Sequence, residues 1–276
     1  MPSEYRLLVE ERIKEKERQG FFNEPVEDDP PSTELKPGVA DYLNKKLSSK
    51  INRKIANFLA TNFYEKQIKN GELIIKGVFG LENFERIKDK GMIVTCNHFA
   101  IADNYIVYKV LRKCMPKKWK LFKVIREGNY TGFTGLFGYL FRNCNTLPLS
   151  SNSATMLEFM RAVSELLRKN QKILVYPEQE MWRNYRKPRP FKPGAFRLAA
   201  KNNVPVLPMF ITMEDTDKND ADGMPLQAYT VWIEEPIYPD ETIPLKDRSE
   251  DLMNKNYEVC KRIYENAYGK PLFYGE

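Results

Sequence analysis

The sequence is short of the residues that carry metal and redox chemistry. Histidine occurs once, at His98, and the four cysteines, Cys96, Cys114, Cys144 and Cys260, are scattered without a Cys-x-x-Cys pair. One imidazole and dispersed thiols lack the ligand spacing of a zinc site, so no metal is expected. The same thiols make no disulfide framework and are expected to be reduced, as in a cytoplasmic protein. Long hydrophobic runs are missing too. No stretch approaches the ~20 apolar residues of a spanning helix, and Met1 to Gly20 is charged throughout, unlike a secretory leader. No Gly-rich dinucleotide or ATP loop is present, so no bound cofactor is expected. The net charge of +7 and the 15 tyrosines invite a nucleic-acid reading, but no base-stacking or groove-reading motif accompanies them, and no nucleic-acid partner is expected.

What is present is an alternating pattern. The 276 residues are 42% apolar and 29% charged, enough for a sizeable core under a charged exterior. Strand-length apolar runs fall at 72–76, 92–96, 121–125, 146–149, 172–176, 204–212 and 228–233. Helical patterns fall between them at 80–89, 102–113, 132–142, 153–169 and 193–202, with a last helix over 249–267. Strands alternating with helices predict an α/β fold, a mostly parallel sheet covered by helices on both faces. Ahead of it the reading is an N-terminal helical appendage, residues 1–70, followed by the α/β domain, residues 71–276. Within the appendage, 4–18 is helical and Asn23 to Gly38 is an acidic linker with prolines. From Ala40 to Ile68, Leu43, Leu47, Ile51, Ile55, Phe58, Leu59 and Phe63 recur at helical steps, amid Lys45, Lys46, Lys50, Arg53, Lys54 and Lys66. Such a basic amphipathic helix lies in a membrane interface; the alternative is a helix packed on the sheet with its charges solvated.

His98 sits in Asn97-His98-Phe99-Ala100-Ile101-Ala102-Asp103, directly after the apolar run Met92 to Cys96. Imidazole suits general base work near neutral pH, and a carboxylate fixes its tautomer and stabilises the imidazolium. Positions five apart do not share a helix face, since at ~3.6 residues per turn they stand about 140° apart. The pair therefore requires His98 in a strand-to-helix turn and Asp103 in the first turn of the helix. The carboxyl end of a parallel strand is also where open α/β sheets place their ligands.

Asn97-His98-x-x-x-x-Asp103 resembles the signature of the lysophospholipid acyltransferase family, the 1-acylglycerol-3-phosphate acyltransferase-like enzymes of glycerolipid synthesis. Ile173-Leu174-Val175-Tyr176-Pro177-Glu178 is similar to the family's apolar strand ending in Phe-Pro-Glu-Gly-Thr-Arg. Lys192-Pro193-Gly194 and Val204-Pro205-Val206-Leu207-Pro208 match its next two blocks, and the likeness spans roughly residues 72–235. The resemblance implies His98 and Asp103 as the catalytic pair, an acyl thioester co-substrate (acyl-CoA or acyl carrier protein) and a lysophospholipid acceptor. It places Asn97, Arg126 and Glu178 on the acceptor side. It also implies a membrane surface as partner and a cytoplasmic protein lying peripherally on the inner face of the membrane.

The departures concern the phosphate clamp. Glu178-Gln179-Glu180-Met181-Trp182 stands where the family has Glu-Gly-Thr-Arg-Ser, so Gln179 replaces the Gly as a headgroup contact and the Arg is absent. Cys144 stands where a second family Arg is expected after Gly138 and Phe141. From Trp182 to Lys201 there are seven Lys or Arg and no acid, which makes Arg183 and Arg186 candidates for a replacement clamp. A second acid-free basic cluster, Lys109 to Arg126, suits anionic lipid, coenzyme A phosphates or an acidic carrier protein. The rival reading is a membrane-binding pseudoenzyme of the same fold.

Overall fold

The short apolar runs form strands whose successive side chains point to opposite faces of the sheet, which divides the core into two layers. The computed structural model describes residues 2–275. In chain order it has α1 (Glu4–Gln19), α2 (Leu47–Lys69), β1 (Ile74–Phe79), α3 (Leu81–Ile87), β2 (Met92–Thr95), α4 (Asp103–Arg112) and β3 (Leu121–Ile125). Next come α5 (Glu127–Thr131), α6 (Gly135–Asn143), β4 (Thr146–Pro148), α7 (Ser153–Arg168), β5 (Lys172–Val175) and α8 (Gly194–Asn202). The hairpin of β6 (Val206–Asn219) and β7 (Pro225–Ile233) follows, and then α9 (Leu245–Tyr268).

The strands form one sheet in the order β1-β7-β6-β2-β5-β3-β4. Every neighbouring pair is parallel except β6 with β7. On β2, Met92 and Val94 join one apolar layer with α3 and α4, while Ile93 joins the other with α7 and α8. Phe210 of β6 meets Cys260, Ile263 and Tyr264 of α9. This is the mostly parallel sheet, helix-covered on both faces, that the alternation predicts.

Two expected elements differ, each for a local reason. The helix expected from Ala40 starts at Leu47, because the Asp41 carboxylate accepts the Lys45 and Lys46 N–H groups (3.0 and 2.9 Å) and holds 41–46 as a turn. The helix expected over 132–142 is broken ahead of α6, at Gly132. A Cβ on Gly132 would lie 2.9 Å from the Pro31 carbonyl oxygen, so another part of the chain passes too close for a side chain.

That other part is the acidic segment expected to be a linker. It is a strap across the carboxyl ends of β5, β3 and β4. Trp182 Nε1 donates to the Glu24 carbonyl (3.0 Å), Arg126 to Asp29 (2.8 Å), and Leu35 N–H to Glu127 (2.7 Å). Ser150 and Thr155 hydroxyls both donate to the Leu35 carbonyl (2.9 and 2.8 Å), and Tyr42 donates to Pro148 (2.9 Å). Leu35, Ala40 and Tyr42 are buried in the same layer as α7 and α8. Residues 1–70 therefore do not stand apart from the α/β body along this strap, because its apolar residues complete the core.

The amphipathic helix α2 rests on the body by its narrow side and not by its apolar stripe. Ala56 is 0% exposed, whereas Leu47 is 73%, Phe58 64% and Phe63 55% exposed. Tyr64 stacks on Tyr105 of α4 (4.7 Å) and Tyr139 of α6 donates to the Asn52 carbonyl (3.2 Å), so both neighbours hold α2 with its apolar stripe outward.

Leu35→Ala is expected to cost about 2–5 kcal/mol of stability, the range for emptying a buried leucine site, seen as a lower midpoint in chemical denaturation. A detached linker would lose nothing.

Candidate active site

Strand order fixes where a ligand can enter. From β2 the chain crosses through α4 to β3, and from β5 it crosses back through α8 to β6, on the opposite face. Right-handed crossovers running in opposite directions leave a crevice at the carboxyl ends of the two strands they start from. Asn97 and His98 follow β2; Tyr176, Pro177 and Glu178 follow β5. Both conspicuous blocks of the sequence therefore end at one crevice.

Asn97 is the joint between β2 and β6. Its side chain donates to the Ile211 carbonyl (3.0 Å) and accepts the Ile211 N–H (2.8 Å), so the amide is used up on backbone. The next residue turns out of the sheet. His98 N–H donates to Glu178 (3.2 Å), and the His98 carbonyl accepts the Trp182 N–H (3.1 Å). Its ring, 18% exposed, places Nδ1 2.7 Å from Asp103 Oδ2.

Asp103 is fully buried in the first turn of α4, where the helix dipole favours an anion. Its Oδ2 also accepts the Phe99 and Ala100 N–H groups (3.2 and 3.3 Å), so the loop wraps around the carboxylate. Its Oδ1 accepts the Tyr176 hydroxyl (2.7 Å). The Tyr176 ring lies almost parallel to the His98 ring, 4.1 Å away at 14°. Burial, then the nearby Asp103, pushes the Tyr176 phenol well above its ordinary pKa, so the hydroxyl keeps its proton and remains a donor. Sequence reasoning missed this residue. The signal was there, in a Tyr at the strand end where the family has Phe. With Nδ1–H committed to Asp103, Nε2 carries the lone pair available to a substrate proton.

Cys96 lies two residues before His98 and points the other way, into the core. Burial, then Asp103, pushes its thiol far above its ordinary pKa, which removes it as a nucleophile.

Most of the expected acceptor contacts are committed within the protein. Glu178 is buried, and besides the His98 N–H it accepts the Arg189 N–H (2.9 Å) and pairs with the Arg189 guanidinium (2.9 Å). It holds the loop that carries His98 instead of facing the crevice. Arg189, fully buried between Pro188 and Pro190, lies over the Trp182 ring (4.7 Å) and donates to the Phe22 carbonyl (3.0 Å). Arg126 is bound by Glu180 and Asp29, each at 2.8 Å. The proposed clamp is occupied as well, with Arg183 on Asp222 (3.0 Å) and Arg186 on Asp215 (2.7 Å). The acids absent from the basic loop come from α1 and from the β6–β7 hairpin, with Glu17 on Lys187 at the amino-terminal helix. Gln179 is the exception. It is exposed at the crevice end of β5, and its φ of +68° falls in the left-handed region, which accounts for a Gly in the family motif at this position.

Glu178→Ala would leave the Arg189 guanidinium buried without its carboxylate, an outcome that typically costs about 3–5 kcal/mol. The expected result is a large drop in unfolding free energy, measured by denaturant titration, and not a weakened acceptor KM in an otherwise sound protein.

Residues 77–212 match the acyltransferase family model. No curated protein matches the chain. Among solved structures it is similar to the 1-acyl-sn-glycerophosphate acyltransferase PlsC from Thermotoga maritima, with 22% identity over 82% of this chain and 81% of that one, and a TM-score of 0.53. The matched stretch carries His98, Asp103, Tyr176 and Glu178, the residues that build the crevice. With fold, motif blocks and family match coinciding there, residues 77–212 form an acyltransferase-type domain, and the protein is an enzyme of that type.

Proposed function

We propose that this enzyme transfers a fatty acyl group from a thioester, acyl-CoA or acyl carrier protein, to the free hydroxyl of a lysophospholipid, with His98 as general base. The 2.7 Å contact between His98 Nδ1 and Asp103 Oδ2 carries the reading. It fixes the tautomer, leaves Nε2 for the acceptor hydroxyl and stabilises the imidazolium that forms. The acceptor oxygen gives its proton to Nε2 and attacks the thioester carbonyl. The tetrahedral intermediate collapses to the ester, and the departing thiolate takes the proton from His98. No acyl-enzyme is needed, consistent with the high pKa and inward position of Cys96. Asn97, Arg126, Glu178, Arg183 and Arg186 hold the protein together around this step, while exposed Gln179 is available to a headgroup. The Thermotoga maritima enzyme, named for a lysophosphatidic acid acceptor, supports an acceptor of that class.

We also place the enzyme peripherally on a membrane surface, on its cytoplasmic side. Among the described residues no helix is long and apolar enough to cross a membrane. The outward stripe of α2 is continued by exposed Leu136 and Phe137 of α6 and by Ile101 in the catalytic loop. Tyr64 of α2 donates to the Ile101 carbonyl (3.4 Å), so this apolar surface adjoins the turn that carries His98. A lipid acceptor would reach Nε2 along it without leaving the interface.

The test is acyl transfer from labelled acyl-CoA and acyl carrier protein to a panel of lysophospholipids. His98→Ala is expected to lose at least ~10²–10⁴-fold in kcat while keeping the wild-type far-ultraviolet circular dichroism spectrum, with a lower melting temperature because the buried Asp103 carboxylate loses a donor. A wild type that transfers to no acceptor yet still binds vesicles would instead establish the pseudoenzyme.

Tyr176→Phe deletes only the hydroxyl on Asp103. A hydrogen bond to a charged group is worth about 1.5–3 kcal/mol, so kcat is expected to fall about tenfold or more with KM unchanged. An equal rise in KM would mean that Tyr176 touches the substrate.

A further inference from the structure

The amino ends of β3 and β5 lie at the other end of the sheet from His98, because these strands run parallel to β2. There the second basic cluster of the sequence meets α2 and α7. Lys45, Arg53, Lys118, Lys120 and Lys169 line a cavity of about 220 Å³, floored by Phe122 and Leu166. That is far more space than the ~10–15 Å³ one water needs.

The charge in this cavity is not balanced as it is around the crevice. Around the crevice, Arg126, Arg183, Arg186 and Arg189 each hold a carboxylate. In the cavity the one lining acid is Glu165, and Lys169 already holds it at 2.6 Å. Among the described residues no ion pair within 4 Å joins Lys45, Arg53, Lys118 or Lys120 to an acid; Lys120 Nζ donates to the Lys117 carbonyl and Lys118 lies over the Trp119 ring, neither of which balances the charge. Nor are these only solvated surface charges. Lys120 and Arg53 are half-buried, and Arg53 lies one turn from Ala56, on the side of α2 that rests on the body. Burial, Arg53 and Arg112 together push the Lys120 ammonium below its ordinary pKa. Like charges pressed into a recess oppose one another unless an anion joins them. An arginine fork and several ammonium groups converging on one space suit an oxyanion with three or four acceptors.

We propose that this cavity binds a phosphate group, either free or as the headgroup of a membrane lipid, at a site separate from the catalytic end of the sheet. The cavity is flanked by the first turns of α2, where Leu47 and Ile51 are exposed. That position suits a headgroup beside an inserted apolar stripe. The site does not depend on the acyl-transfer mechanism.

The test compares wild type, Arg53→Gln/Lys120→Gln and a control, Lys201→Gln/Lys246→Gln, which loses the same charge from exposed positions on α8 and α9. Inorganic phosphate is titrated by calorimetry. Flotation is measured with vesicles of phosphatidylcholine alone or mixed with phosphatidylglycerol. Affinity is expected to fall about tenfold or more in the cavity variant relative to the control. Loss of phosphate binding identifies a free anion, loss confined to anionic vesicles identifies a lipid headgroup, and either supports the site. Equal behaviour of variant and control in both assays overturns it, as does a wild type that binds neither probe. The variant should melt no lower than wild type, because it removes repulsion. Should it fail to fold, Lys45→Gln/Lys118→Gln, both exposed on the rim, repeats the comparison.

Discussion

A fully buried carboxylate is tolerated only when its acceptor positions are filled, because the desolvation cost is several kcal/mol per ion. Asp103 fills them with the His98 imidazole, two N–H groups of its own loop and the Tyr176 hydroxyl. Those donors come from the turn after β2, from the entrance to α4 and from the end of β5. One charge thus sets the path of the turn, the angle of the imidazole and the register of two strands at the crevice. Glu178 supports the same turn from the other side through the His98 N–H. Its own charge is met by Arg189, which in turn is packed against Trp182. The loop that carries His98 is therefore held by two buried carboxylates, one inside it and one beneath it.

The rewritten clamp follows from the same electrostatics. The basic loop after β5 looks like an anion site when read alone, since no acid interrupts it. In the folded chain, Asp215, Asp222, Glu180 and Asp29 approach from distant parts of the sequence and occupy Arg186, Arg183 and Arg126. Part of the positive charge left without carboxylates lines the cavity at the amino ends of β3 and β5.

Features carried by short-range periodicity were legible in the sequence. The strands from Met92 to Ile233 and helices such as α7 follow from short apolar runs and 3.6-residue patterns over a few turns, and the His98–Asp103 contact follows from a five-residue turn. Features set by long-range pairing were not. No local pattern tells Arg126 that its partner is Asp29, or that Asn97 will be spent on Ile211. Amphipathicity revealed that α2 has an apolar stripe but not which way the stripe faces, because facing depends on the neighbours that grip Tyr64 and Asn52. The strap read as a linker because proline and acid dominate it. Its deeply buried anchors, Val26 and Leu35, stand nine residues apart, too sparse a signal to reveal a core segment.

The strap also orders events in time. Residues 22–42 are made before almost everything they bind: Glu127, Ser150, Thr155, Trp182 and Arg189 all follow β3 in the chain. Domains assemble as the chain emerges, amino end first, so the nascent strap waits without partners while the central strands are still being made. His98 lacks its support from Glu178 and Trp182 until that later stretch arrives. The fold thereby delays its own crevice, and an incomplete chain on the ribosome cannot yet hold the imidazole in place.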